Sequence, residues 1–348
     1  MSVYMPYIDE SDFNPQRLIY LYVQNNTPFD IYTKIKEKVI GQDNALRQAS
    51  LLVYAFLKTL AYGNYTNYKY HFLLEAESGC GKTTFATALK TVVPIPVVIC
   101  DASTTTANGW RGMDPADLLD NPEFEKWRCG IVVLDELDKA IMPYGTDVPH
   151  HRLTQESFLK LFDGGLVHNK DGKSFDCDRF MFIGMGAFAP MRQKQQVYRS
   201  IGFESSQEGP GAVMEETISR DRITDVCGSE QFMGRFVSVL HFKKLGMKQY
   251  RIMLNNAIEE ICQMYGPWEL PTDTAEQILH QAVNSPYGAR NIRNLVWEYF
   301  MSADSSMMQQ MKRQEAIDRK LREGLLPDEE DRDFLYRKLL APEGSISA

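Results

Sequence analysis

Hydrophobic residues fall along this chain in two rhythms, and the change from one to the other marks its organisation. Short apolar runs bounded by turn residues recur through the first two thirds: Tyr70 to Leu74, Val97 to Cys100, Gly130 to Asp135, Arg179 to Ile183 and Phe236 to Phe242. Unbroken apolar runs of this kind read as strands buried on both faces, the habit of a parallel sheet. Pro94 and Pro96 precede the second run and suit the approach to a strand better than its middle. Helical patterns lie between the runs, from Thr27-Pro28 with proline in the first turn, from Ala45 to Tyr62, from Phe85 to Leu89 and from Gln155 to Phe162. From Gly246 the rhythm is helical throughout. Tyr250, Met253, Leu254, Ala257, Ile258 and Ile261 recur at helical spacing, and a second helix follows Thr272. A third begins at Ser285-Pro286-Tyr287-Gly288-Ala289-Arg290 and keeps Ile292, Leu295, Val296, Tyr299 and Phe300 on one face.

The remaining stretches read as connections. Residues 1 to about 27 have no steady period and are expected to form a short extension. Asp101 to Asn121 is polar and turn-rich, Lys139 to Arg152 reads as a loop, and Gly164 to Lys173 as a hairpin-like turn. Residues 189 to 230 are polar, with a flexible loop expected around Arg199 to Gly211. Lys312 to Leu340 is expected to be helical in part, interrupted near Pro327. The resulting division is an extension (1–30), a large α/β domain (31–242), a small helical domain (243–303) and a charged, partly helical tail (304–348). A length of 348 residues fits about two domains at ~150 residues each.

Charge and cysteine content narrow the function classes. The formal net charge of −8 gives no support to a nucleic-acid binder held by overall charge, although it leaves room for a local basic patch. No run approaches the ~18 apolar residues of a membrane helix, and the acidic, polar N-terminus does not read as a signal peptide. The cysteines at 80, 100, 129, 177, 227 and 262 form no C-x-x-C pair and read as free thiols in a reducing cytoplasm. His150 and His151 are adjacent, so they would not share a helix face, and no third metal ligand accompanies them.

The candidate chemistry begins at E-A-E-S-G-C-G-K-T-T (75–84), directly after the first apolar run. A strand, a glycine-bearing turn and a helix-forming segment are the context a phosphate-binding P-loop requires. Backbone N–H groups from Ser78, Gly79, Cys80, Gly81 and Thr84 would cradle phosphate oxygens, Lys82 would reach the terminal phosphates and the Thr83 hydroxyl would ligate Mg²⁺. The first glycine of the full pattern is here Ala76, a poor residue if that position needs positive φ. A second element, G-I-V-V-L-D-E (130–136), presents two acids at the carboxyl end of a buried strand, where α/β folds bind ligands. In a P-loop ATPase the first acid, Asp135, holds the Mg²⁺ shell and the second, Glu136, polarises the attacking water. Trp110 lies between glycines in G-W-R-G (109–112) and is either packed on a neighbouring loop or exposed to grip a ligand.

Taken in order, these motifs resemble the AAA+ protein-unfolding ATPases of the Clp/Hsp100 family, nearest its ClpX branch, over about residues 28 to 303. V-I-G-Q-D (39–43) resembles the segment lying over adenine, which assigns Val39 and Ile40 to nucleotide binding. The P-loop and V-L-D-E-L-D-K (133–139) resemble Walker A and Walker B. G-W-R-G resembles the aromatic pore loop, with Trp110 followed by Arg111 where an aliphatic residue is usual. F-M-G-R (232–235) resembles the segment whose arginine, Arg235, enters the neighbouring subunit's ATP site. G-A-R (288–290) resembles the small-domain arginine, Arg290, that senses nucleotide. Ile201-Gly202-Phe203 resembles the loop tripeptide that docks onto ClpP-type peptidases, a local hydrophobic staple being the alternative.

The resemblance implies an AAA+ P-loop domain with a parallel sheet flanked by helices, a helical lid domain, ATP and Mg²⁺ as cofactors, and a homo-hexamer threading polypeptide substrates. A ClpP-type peptidase is the candidate partner, with no membrane and no clear nucleic-acid partner. The family's N-terminal zinc-binding domain has no counterpart here, the Gly164–Lys173 turn is much shorter than its basic axial loop, and Phe182 to Gly186 lacks the usual sensor Asn or Thr. Stand-alone remodelling, action on nucleoprotein complexes and a non-hydrolysing scaffold are the competing readings. The complete set of Lys82, Asp135, Glu136 and Arg235 argues against the scaffold.

Overall fold

The computed structural model describes residues 13–63, 69–105, 113–142, 148–188, 219–227, 229–285, 287–302 and 306–340. The chain divides into two compact units, one formed by Met1–Glu77 and Gly81–Lys244, the other by Ser78–Cys80 and Leu245–Ala348.

The first unit is an α/β layer. Its strands are β1 (Phe72–Glu75), β2 (Val97–Asp101), β3 (Gly130–Asp135), β4 (Leu166–His168), β5 (Ser174–Asp176), β6 (Phe180–Gly186) and β7 (Ser238–His241). Five of them form one sheet in the order β2-β3-β6-β1-β7, with every neighbouring pair parallel. Residues of β1, most of β3 and all of β6 are buried, as a sheet covered on both faces demands. Leu73 of β1 and Leu134 of β3 both stand opposite Gly184 of β6, so the carboxyl ends of β1 and β3 lie level. These are the two strands that carry the P-loop and the paired acids. The turn expected at 164–173 is the antiparallel hairpin of β4 and β5.

The helices of this unit are α1 (Pro15–Asn25), α2 (Pro28–Lys36), α3 (Asp43–Tyr62), α4 (Lys82–Val92), α5 (Pro122–Trp127), α6 (Leu137–Ile141), α7 (Val148–Phe162), α8 (Arg220–Cys227) and α9 (Glu230–Met233). Several depart from the sequence expectation, among them α8, which lies within the stretch 189–230 read as a connection. Residues 15–25, read as part of an irregular extension, are a helix that Asn14 caps through the Arg17 N–H, with Pro15 in the first turn. Only Ile19 and Val23 anchor it apolarly, too few for a visible period. Gln16 Nε2 completes the docking by donating to the Leu60 and Ala61 carbonyls at 2.6 and 2.9 Å, at the end of α3. The loop expected over 139–152 is overturned as well: α6 starts directly after Glu136, and α7 carries Pro149 in its first turn, where a proline costs no helical hydrogen bond.

An aromatic cluster fixes α7 and the segment after α9 against the sheet. The Phe162 ring meets those of Phe158, Phe182, Phe232 and Phe236 at centroid distances of 5.7, 5.1, 5.6 and 5.2 Å. Such ring pairs add ~0.5–1.5 kcal/mol beyond their buried area. His71 lies inside the same core. Its Nδ1 accepts from Phe182 N (3.1 Å), which leaves Nε2 to carry the proton and donate to the Phe162 carbonyl (3.3 Å). Burial pushes this imidazole down to about 3, so it stays neutral.

The second unit is helical. α10 (Met247–Tyr265), α11 (Thr272–Asn284) and α12 (Arg290–Phe300) enclose a core with Leu254, Ile261, Ile278, Leu279, Ile292, Val296 and Phe300, closed by Trp268. α13 (Ser306–Arg322) and α14 (Glu329–Leu340) follow, separated at Pro327 where the sequence marks a break. Lys320 bridges them, its ammonium 2.9 Å from Asp328 and 2.7 Å from Asp331.

Candidate functional site: a P-loop and a pair of acids

β1 ends at Glu75 and α4 begins at Lys82, so the glycine-bearing turn lies where the sheet's carboxyl edge meets a helix N-terminus. Gly79 and Gly81 take φ of 82° and 98°, conformations that a side chain would strain. Ala76 does not: the described non-glycine residues with positive φ are Arg128, Glu136 and Phe188. The alanine instead sits fully buried, its N–H donating to the Gly186 carbonyl at 3.1 Å, so this position needs a small residue but no left-handed one. Gly81 offers α4 no side-chain cap. The N–H groups of that first turn, together with its dipole, suit an anion.

Lys82 turns back over its own loop, with Nζ 2.5 Å from the Ala76 carbonyl and 3.1 Å from that of Glu77. Thr83 and Thr84 are exposed on the first turn of α4. Val39 is buried, and its Cγ1 lies 3.7 Å from where a Cβ on Gly81 would stand, which places V-I-G-Q-D against the turn. Ile40 beside it is half-buried. Gln42 is buried and grips the main chain of Lys243 twice, donating to its carbonyl and accepting from its N–H, each at 2.8 Å.

Asp135 closes β3 in register with Asp101 of β2. Burial pushes its carboxyl above the usual range, while a hydrogen bond from the Glu136 N–H and the charge of Lys82 pull it back. Thr83 and Asp135 supply hard oxygen ligands of the kind Mg²⁺ takes, and the loop supplies donors for phosphate, so the residues fit a Mg-nucleotide. Glu136 adopts a left-handed φ of 55° and pairs with Lys139 at 2.7 Å. A non-glycine residue there costs ~1–3 kcal/mol and marks a position held by its surroundings.

The sequence reading gave Asp138 no role, although it lies in V-L-D-E-L-D-K. Its buried carboxylate accepts from Ala187 N (3.2 Å) and Phe188 N (2.9 Å), bracing the end of β6. Gly186 makes room for it: a Cβ there would stand 2.7 Å from Asp138 Oδ1. Arg235 follows α9 and pairs through Nε with Asp163, the residue after α7. Arg290 opens α12 in the second unit and is exposed.

Trp110 and Arg111, and Ile201, Gly202 and Phe203, lie outside the described residues. His151 donates from Nδ1 to the Ala140 carbonyl (3.0 Å), and no group of three or more potential metal ligands occurs among the described residues. Cys80, Cys100, Cys129, Cys177 and Cys262 are free thiols. No described helix is long and apolar enough to cross a membrane.

The parallel five-stranded sheet, with a P-loop after β1 and paired acids after β3, has the fold of the AAA+ class of P-loop nucleotide domains. The AAA domain (Cdc48 subfamily) matches residues 67–237. Within that class the chain is ClpX-like. It is 26% identical over 306 residues to the ATP-dependent Clp protease ATP-binding subunit ClpX 2 of Wolinella succinogenes, covering 79% of this chain and 76% of that protein. It is likewise 26% identical over 319 residues to the ClpX subunit of Treponema denticola, covering 80% and 76%. The fold is shared with Hsp104 in a closed-state cryo-EM reconstruction with ATPγS and FITC casein, at a TM-score of 0.57 and 18% identity. That superposition covers 80% of this chain and 47% of the Hsp104 chain, so the protein spans about half the length of that relative.

Proposed function

We propose that this protein is a ring-forming motor that couples ATP hydrolysis to the unfolding and threading of polypeptides. The observation that carries the reading is the level placement of the Lys82 loop and the Asp135-Glu136 pair at one edge of the sheet, close enough for the Lys82 charge to act on Asp135. In this reading the loop N–H groups, Lys82 and Arg290 bind the triphosphate, while Val39 and Ile40 bound the base. Thr83 and Asp135 hold Mg²⁺, and Glu136 takes the proton of the attacking water. Arg235 enters the site of a neighbouring copy, and an arginine supplied in trans is worth roughly 10³–10⁵ in rate. The proposed assembly is a closed homo-hexamer working in the cytoplasm, a reading that the need for a trans arginine and the ClpX-like relatives support.

Trp110, with Arg111 beside it, is proposed to grip the polypeptide, and Ile201-Gly202-Phe203 to dock a ClpP-type peptidase through several loops at once. The deciding experiment measures ATP turnover and unfolding of a stable test protein by the parent and by Trp110→Ala. A variant that hydrolyses ATP but no longer unfolds supports the motor. Equal loss of ATPase, unfolding and thermal stability makes Trp110 a packing residue. Phe203→Ala should abolish association with the source organism's own peptidase while turnover persists. If the parent does not bind that peptidase with ATP present, the function is stand-alone remodelling.

A further inference from the structure

Asp163 stands where helix energetics disfavour it. Its N–H closes the last turn of α7 on the Leu159 carbonyl, and a carboxylate at a helix C-terminus faces the negative end of the dipole. What it gains is Arg235, whose Nε donates to Asp163 Oδ1. The pair is built from beneath. Phe162, just before the acid, and Phe232 and Phe236, around the arginine, are wholly buried and in mutual ring contact. Neither backbone can therefore shift without disturbing that cluster, while both charged groups remain at the surface.

The choice of nitrogen matters. A guanidinium presents a planar fork of donors, and with Nε engaged elsewhere its two Nη groups still offer an edge for bidentate recognition of a phosphate. Nε is taken by Asp163, and no other side-chain hydrogen bond of Arg235 occurs among the described residues, so its Nη groups remain as donors for a ligand. We propose that Asp163 is a positioning residue for Arg235, orienting the guanidinium so that its terminal amines meet the γ-phosphate bound by a neighbouring copy. This rests on the trans role of Arg235 proposed above.

The test compares Asp163→Asn, Asp163→Glu and Arg235→Ala with the parent. Asp163→Asn keeps the shape but loses the charge, and should lower kcat for ATP by between about 10- and 100-fold with KM unchanged, the scale of a misplaced catalytic group. Asp163→Glu should recover part of the loss. The double variant Asp163→Asn/Arg235→Ala should be no slower than Arg235→Ala alone. In mixed rings, Asp163→Asn subunits should be complemented by Glu136→Gln subunits, because the defect lies in the neighbour's site. If Arg235→Ala is complemented in this way but Asp163→Asn hydrolyses ATP like the parent, the positioning role is overturned and the trans arginine stands. If Arg235→Ala itself is not complemented in rings shown to mix, both fall. A thermal melt accompanies each variant, and a kcat loss that merely tracks a lowered melting temperature also counts against the proposal.

Discussion

The Glu75 carboxylate and the His241 imidazole meet at 3.0 Å across register-matched ends of β1 and β7, with the Glu75 side chain only 3% exposed. The carboxylate sits immediately before the P-loop turn. Two further links flank it: Gln42 holds both main-chain groups of Lys243, and Lys244 pairs with Glu77 at 3.0 Å. The strand that closes the first unit is thus tied residue by residue to the base of the nucleotide loop. Removing one partner of a buried polar pair costs more than the pair contributes. His241→Ala is expected to destabilise the protein by roughly 1–3 kcal/mol, and His241→Gln by less, as read from urea unfolding. An unfolding midpoint equal to the parent's for His241→Ala would show the pair to be dispensable.

His71 gives the protein an acid-sensitive component. Its folded value of about 3 lies below the ordinary imidazole value of 6.5, so between those limits the unfolded chain binds a proton that the native core refuses. This contribution is complete above pH ~6.5 and falls as the pH drops toward 3. His71→Gln should be less stable near neutrality, by about 1–3 kcal/mol if the Phe182 N–H loses its acceptor. It should also show a shallower fall in stability between pH 6.5 and 4.5. Parallel slopes for parent and variant would remove His71 as the cause.

Gly186→Ala tests the brace at the end of β6. The added methyl would press on the Asp138 carboxylate that holds Ala187 and Phe188. Overpacking of this kind costs typically ~1–3 kcal/mol. Turnover should fall as well, because α6, which bears Asp138, starts beside Glu136. A variant with unaltered melting and turnover would mean that the carboxylate moves aside freely.

Lys82→Ala and Glu136→Gln should separate binding from chemistry. Lys82 contacts ground-state phosphates in the proposed site, so its loss should weaken ATP affinity; Glu136→Gln should bind ATP and lose hydrolysis by 10²-fold or more, the scale of a general base. Calorimetry and a phosphate-release assay check the two. Parent-like hydrolysis by Glu136→Gln would refute the role given to that carboxylate.

Much of the large unit was legible because β1, β3 and β6 are buried on both faces and therefore appear as unbroken apolar runs. Gly130 to Asp135 is a strand with the bounds its composition indicates, and Pro94 and Pro96 did mark the approach to β2. The helices that escaped notice lack that signal. α1 buries two residues and depends on Asn14 and Gln16, whose contacts are long-range or capping. α6 is a five-residue helix that follows from the backbone turn at Glu136, which no side-chain pattern announces. The site divides in the same way. Local spacing reveals Gly79, Gly81, Lys82, Asp135 and Glu136, whereas Asp138, Asp163 and His241 acquire meaning only from residues distant in sequence.

The left-handed backbone at Glu136 sets two selections against each other at a single codon. Glycine there would relax the chain, and asparagine would tolerate the conformation better than glutamate does. Directed evolution for heat resistance alone would accordingly favour replacements that erase the carboxylate. A catalytic screen must run beside it, since the most comfortable residue at this turn is the one that leaves no base.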